Sequence, residues 1–291
     1  MLLLPPILAA LGQASVSLTL TPPVQCAPVG ALVDVAVVLS TDAPTAVAAV
    51  DLIVKWNPAQ LQLVQTIPGS GPWFVAGYFN DPDGINTSTS DGDALYTLLG
   101  NPVTPPTLPP NQTAATFRFQ VIADSQVNLL PTLGAFGKTQ VLGTTPGSNL
   151  TGAIVGPASI GAVGGTALET VRLGSPPNPN AFRPGFTHAP VLGQTWDPYI
   201  DHASFAPGAL LDAFGVTLAP INVPLPPFGT LLCLPPVAGP LFKVPAGQKF
   251  AVPIPIACEL VGVALYTQAF SLDGLGNIEL TNALDIVLGT Q

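Results

Sequence analysis

Apolar residues make up 48% of this chain, yet no apolar run continues for the about 20 residues that cross a bilayer. Each stretch is cut well short by Gly, Pro, Asn, Thr or Asp. Hydrophobicity divided in this way, among 35 prolines and 29 glycines, belongs to many short strands closed by turns. The sequence therefore predicts an all-β chain of two β-sandwich, jelly-roll-like domains in tandem, with no transmembrane segment.

The apolar residues recur with a period of two. Val33, Val35, Val37 and Leu39 alternate with Asp34, Ala36 and Ser40, which gives a strand one apolar face. Phe117, Phe119 and Val121 alternate in the same way with Arg118 and Gln120. Similar runs occur at 15–20, 47–56, 61–66, 94–99, 127–130 and 150–155. A Gly-rich stretch at 156–165 marks the expected boundary between domains 15–160 and 166–291. Beyond it, strand-like runs lie at 166–173, 191–196, 202–205, 210–216, 231–234, 249–253, 261–271 and 284–288. Proline is dense there, as in Val223-Pro-Leu-Pro-Pro-Phe228, and proline in a strand pattern belongs at a sheet edge. No segment has helical periodicity with caps.

Charge excludes two classes of partner. Seven Lys+Arg stand against sixteen Asp+Glu, a formal net charge of -9. The basic residues are single and scattered, so no patch can neutralise a row of phosphates or an anionic membrane surface. So uncharged an exterior points to contact with a partner or with itself, or simply to a Thr- and Pro-rich surface.

Residues 1–14 are apolar and end in small residues, Gly12 and Ala14, which reads as the end of a secretory signal without its positive n-region. The other reading is an ordered first strand. Export makes the protein secreted, extracellular or cell-surface. In an oxidising compartment Cys233 and Cys258, close in sequence, are the expected disulfide. Cys26 is then a buried small residue or an intermolecular link.

Residues 15–160 resemble the cohesin family. The resemblance rests on Ser15-Val-Ser-Leu-Thr-Leu20, the turn at Pro28-Val-Gly30 and the strand at 32–39. It rests above all on Ala48-Ala-Val-Asp-Leu-Ile-Val-Lys-Trp-Asn-Pro-Ala-Gln-Leu-Gln-Leu-Val64, followed by Ile67-Pro-Gly69. The runs Ala114-Ala-Thr-Phe-Arg-Phe-Gln-Val121 and Thr151-Gly-Ala-Ile-Val155 also fit. The resemblance implies a jelly-roll sandwich whose sheet faces or edges meet a protein partner. Residues 166–291 are similar to a β-sandwich domain of secreted proteins of environmental bacteria, which implies an extracellular setting and no particular activity. The residues carrying this second likeness include Pro190-Val-Leu-Gly-Gln-Thr-Trp196 and Val252-Pro-Ile-Pro-Ile256.

Three groups of residues are candidate sites. Asp81, Asp83, Asp91 and Asp93 gather carboxylate oxygens of the kind Ca²⁺ prefers, although the EF-hand register fails and two Asp-Gly turns are the favoured account of them. Trp73, Phe74, Tyr78 and Phe79 offer aromatic faces to a ligand such as a sugar ring, or else pack the core. Asp197, Asp201, His202 and His188 form the acid–imidazole cluster, but no Gly-x-Ser-x-Gly elbow supplies a nucleophile. The resulting expectation is a non-catalytic protein acting in recognition, adhesion or extracellular assembly. It requires no cofactor beyond a candidate Ca²⁺. The alternatives are a self-assembling structural subunit and a carbohydrate-binding module.

Overall fold

A computed structural model describes residues 15–71, 73–79, 84–233 and 241–291 of the chain. The expected signal segment 1–14 lies outside the described residues, as do Asp81 and Asp83. The chain is all-β, with 55% of it in strands. Among the described residues the helical content is a 3₁₀ turn at Cys258–Leu260, and no helix is long and apolar enough to cross a membrane. Two compact units meet in sequence between Ala162 and Val163.

The first unit contains β1 (Val16–Thr21), β2 (Val24–Cys26), β3 (Leu32–Thr41), β4 (Thr45–Lys55), β5 (Leu61–Pro68), β6 (Trp73–Tyr78), β7 (Asp93–Gly100) and β8 (Thr107–Leu108). It continues with β9 (Gln112–Val121), β10 (Ser125–Leu129), β11 (Thr132–Leu133), β12 (Gly137–Lys138), β13 (Gln140–Gly143), β14 (Thr151–Val155) and β15 (Ala158–Gly161). One sheet has the order β14-β1-β3-β9-β5, and β14 runs parallel to β1. The other runs β2-β15-β10-β4-β7-β6, with β8 and β13 also paired to β4.

Alternation decides which side chains meet between these sheets. Val33, Val35, Val37 and Leu39 of β3 and Phe117 and Phe119 of β9 are all 5% exposed or less. They share one core with Val50, Leu52 and Val54 of β4 and Tyr96 of β7. Trp56 meets Phe119 across the layers, edge to face at 5.4 Å. Each such side chain contributes roughly 1.5–3 kcal/mol by leaving water. The Gly-rich stretch expected as a boundary contains β15, which pairs with β10 and β2 inside this unit.

The second unit contains β16 (Leu168–Arg172), β17 (Phe182–Arg183), β18 (Thr195–Trp196), β19 (Tyr199–Ile200), β20 (Ala209–Thr217) and β21 (Pro220–Leu225). β22 (Gly229–Cys233), β23 (Leu241–Pro245), β24 (Val252–Pro253), β25 (Ala264–Asp273) and β26 (Ile278–Val287) complete it. A five-stranded antiparallel sheet, β16-β26-β25-β20-β23, is accompanied by the ribbons β17–β19, β18–β24 and β21–β22. Phe182, Trp196, Ile200 and Val252 from the first two ribbons form a core with Phe214, Ala269, Leu284 and Ile286 of the sheet.

The β21–β22 ribbon has no backbone ladder to that sheet, so side chains take its place. Gln268, adjacent to Ala269 and hence on the other face, accepts the Leu232 N–H at 2.7 Å and donates to the Thr230 carbonyl at 2.9 Å. Arg172 donates to the Ile221 and Leu232 carbonyls at 3.0 Å each.

Two expected strands of this unit are much shorter, at 195–196 and 252–253. The expected strand at 202–205 is a turn. The His202 ring bonds back onto the Phe205 carbonyl at 2.9 Å, which an extended chain does not permit.

Candidate functional site

Sequence reasoning placed four aromatic residues at 73–79, and the structure divides them. The stretch Trp73–Tyr78 is β6, the end strand of its sheet, paired on one side with β7. The register breaks between Trp73 and Val75. Phe74 sits at this irregularity with 71% of its surface exposed, and Phe79 follows at 44%. Trp73 and Tyr78 instead pack, half-buried, against the first core.

The Tyr78 hydroxyl meets Thr66 Oγ1 of β5 at 2.5 Å, and its ring stands edge-on to Tyr96 at 5.1 Å. Burial pushes the Tyr78 phenol up to about 12. Trp73 Nε1 is buried and has no hydrogen-bond partner among the described residues. The four rings therefore do not all face solvent: Phe74 and Phe79 are available to a ligand.

The described carboxylates of the Ca²⁺ candidate are engaged locally. Asp91 accepts the Asp93 N–H at 3.3 Å, and Asp93 is 2.7 Å from Lys55 Nζ. Gly92 between them has φ +100, and a Cβ there would come within 2.6 Å of the Trp56 carbonyl oxygen. That is an Asp-Gly turn ending in an ion pair. Among the described residues, no three His, Cys, Asp or Glu gather as a metal group.

The expected Cys233–Cys258 disulfide is not formed. Cys233 is a free, buried thiol, pushed up to about 11 by that burial. Cys258 is disulfide-bonded, and so is Cys26, which therefore is not a leftover thiol. Proximity in sequence misled here because Cys233 lies on β22, whose strand register sets its surroundings beside Arg172 and Thr217.

The acid–imidazole cluster also rearranges. Asp201 pairs with Arg183 Nη2 at 3.3 Å, and Asp197 accepts the Thr187 and His188 amides at 2.9 and 3.0 Å. His202 instead turns to Asp212 on β20, with Nε2 2.9 and 3.0 Å from the two carboxylate oxygens. Asp212 is 0% exposed and also accepts from Ser271 Oγ at 2.7 Å and Gly247 N at 2.9 Å. The hydroxyl thus donates to the acid and not to the imidazole, the reverse of a nucleophile activated by a base. Sequence reasoning missed Asp212. Its signal was parity: it shares a strand face with Phe214 and Val216, so its carboxylate points into the core.

Charge elsewhere is committed to the fold. Of the seven basic side chains, Lys55, Arg118, Arg172, Arg183 and Lys249 each lie within 4.0 Å of a carboxylate.

No protein-family model and no curated protein sequence matches the chain. Cohesin domains among the solved structures match about half of it. One is the third cohesin of ScaC, solved with the ScaB dockerin, from Acetivibrio cellulolyticus: 11% identical, 52% of this chain, 99% of that chain, TM-score 0.40. A type II cohesin domain from the cellulosome of Acetivibrio cellulolyticus is 19% identical over 51% of this chain and 95% of its own, at TM-score 0.37. A non-cellulosomal cohesin from Archaeoglobus fulgidus is 12% identical over 51% and 91%, at TM-score 0.35. The rest of the chain is a further β-rich region.

Proposed function

We propose that the chain is an exported, non-catalytic recognition module that takes a protein partner, or a second copy of itself, along the β6 margin of its first unit. The observation that carries this reading is Phe74, held 71% exposed on an end strand. An end strand offers unpaired backbone N–H and C=O groups to an extended segment, and Phe74 with Phe79 gives that segment apolar surface to cover. Disulfide-bonded Cys26 and Cys258 support an oxidising compartment. The bonding of both His202 nitrogens to an acid and to carbonyls, with the Ser271 hydroxyl donating to that acid, supports the non-catalytic reading.

The test is sedimentation of the full chain over a wide concentration range, with Phe74→Glu in parallel. Self-recognition predicts a sedimentation coefficient that rises with concentration in the parent and stays flat in the variant. Recognition of another protein predicts a flat parent that retains a partner from the source organism's culture fluid, and a variant that loses it. A flat parent with nothing retained would sink the proposal.

A further inference from the structure

One imidazole fastens the turn at 201–206. The His202 side chain is 19% exposed, and both of its nitrogens face acceptors. Nδ1 lies 2.9 Å from the Phe205 carbonyl oxygen and 3.2 Å from that of Ala206, while Nε2 faces the Asp212 carboxyl. A carbonyl only accepts, so Nδ1 carries a hydrogen. A neutral imidazole has one ring hydrogen to give, and with Nδ1 holding it the Nε2 lone pair confronts the Asp212 oxygens. Asp212 is pinned in place by Ser271 and Gly247 and has no freedom to turn away.

We propose that His202 is a proton-operated latch: protonated at both nitrogens it ties the 201–206 turn to Asp212, and loss of one proton releases that turn. The segment released is under tension of its own. Phe205 is buried to 4% exposure in the second core. Ala206 holds φ +41, a left-handed conformation that is strained for a residue bearing a Cβ and persists only where the surroundings enforce it.

The charged groups around the imidazole are few. Asp212 faces it from β20. Asp201, on the same turn, adds a weaker attraction and is itself paired with Arg183 of β17. Ser271 of β25 and the Gly247 amide are neutral, and Lys249 beyond that glycine pairs with Asp197. Partial burial works against the imidazolium, but Asp212 and the Phe205 and Ala206 carbonyls more than offset it, and the His202 pKa is raised. A raised value in the fold gives stabilisation that is complete below the ordinary value of 6.5 and is lost as pH climbs through the folded value. The latch therefore closes in acid and opens in alkali.

The test is an NMR titration of the full chain, with His188→Gln to assign the second imidazole, alongside amide hydrogen exchange corrected for intrinsic rates. His202 is expected to titrate above 6.5. Protection of the 202–209 amides is expected to fall between 6.5 and the folded value, by at most about tenfold per pH unit, and to level off above it. His202→Gln is expected to abolish this pH dependence. A His202 that titrates at or below the free-histidine value, or a turn whose protection ignores pH, overturns the proposal. So does pH dependence that survives in His202→Gln. If that variant does not fold, the two parent measurements decide the matter alone.

Discussion

The side-chain amide of Asn178 pairs with the backbone of Thr230 as a neighbouring strand does, accepting its N–H at 2.6 Å and donating to its carbonyl at 2.6 Å. Asn282 treats Phe182 in the same way, at 2.8 and 2.9 Å. Both asparagines are 5% exposed or less. They join short ribbons to a sheet with which those ribbons share no ladder, and they do so without introducing charge into the interior.

Asn178→Ala follows directly as a test. It leaves the buried Thr230 N–H without its partner and removes a donor from the Thr230 and Thr281 carbonyls. The expected loss is about 3 kcal/mol, since each buried polar group left unsatisfied costs roughly 1–3 kcal/mol. Urea unfolding of the full chain reads it. An unchanged midpoint would mean that the ribbon is held by other contacts.

Two phenylalanines of the first unit should behave oppositely. Phe119, 0% exposed and against Trp56, is expected to cost about 3–5 kcal/mol on truncation to alanine. Phe74→Ala, at an exposed position, is expected to stay within about 0.5 kcal/mol. Similar losses at the two sites would contradict the assignment of Phe74 to the surface.

Thiol chemistry distinguishes the disulfide found from the one expected. Cys233 is free and buried, its thiol pushed up to about 11, so the folded protein is expected to ignore a thiol-reactive dye. Denatured without reductant, each chain is expected to release one reactive thiol, and Cys233→Ser none. A reactive thiol in the denatured Cys233→Ser variant would refute the assignment.

The acid limb of stability involves Asp197. Burial works against its carboxylate, but the His188 and Thr187 amides, with Lys249, more than offset it and hold its pKa below the ordinary 3.8. A lowered value in the fold stabilises above 3.8 and is lost as pH falls through the folded value. Melting temperature is therefore expected to drop on acidification below that point, and less steeply in Asp197→Asn. Parallel curves for the two proteins would remove Asp197 from the account.

The first unit was largely legible because its strands are half-buried. At β3 and β9 the apolar residues alternate so regularly that face, register and core follow from period two alone. The second unit was less so. Its ribbons are two to six residues long, too short for a period to declare itself, and they are attached through single side chains such as Gln268 and Asn178. At 73–79 the sequence named the aromatic residues but not their division, since which rings point outward depended on a break in register between Trp73 and Val75. His202 drew attention because histidine is rare here. Its partner Asp212 was hidden because an aspartate in an apolar run resembles an interruption.

The pairing of five of the seven basic side chains with carboxylates has a consequence in solution. Among the described residues, Lys138 and Lys243 have no such neighbour, so the positive charge is largely neutralised locally and the excess of acid sets the long-range field. Two molecules repel at long range through their net charge of -9, and the reach of that repulsion shrinks to about 10 Å at 0.1 M ionic strength. Salinity thus governs how near two copies come before their charges turn them apart.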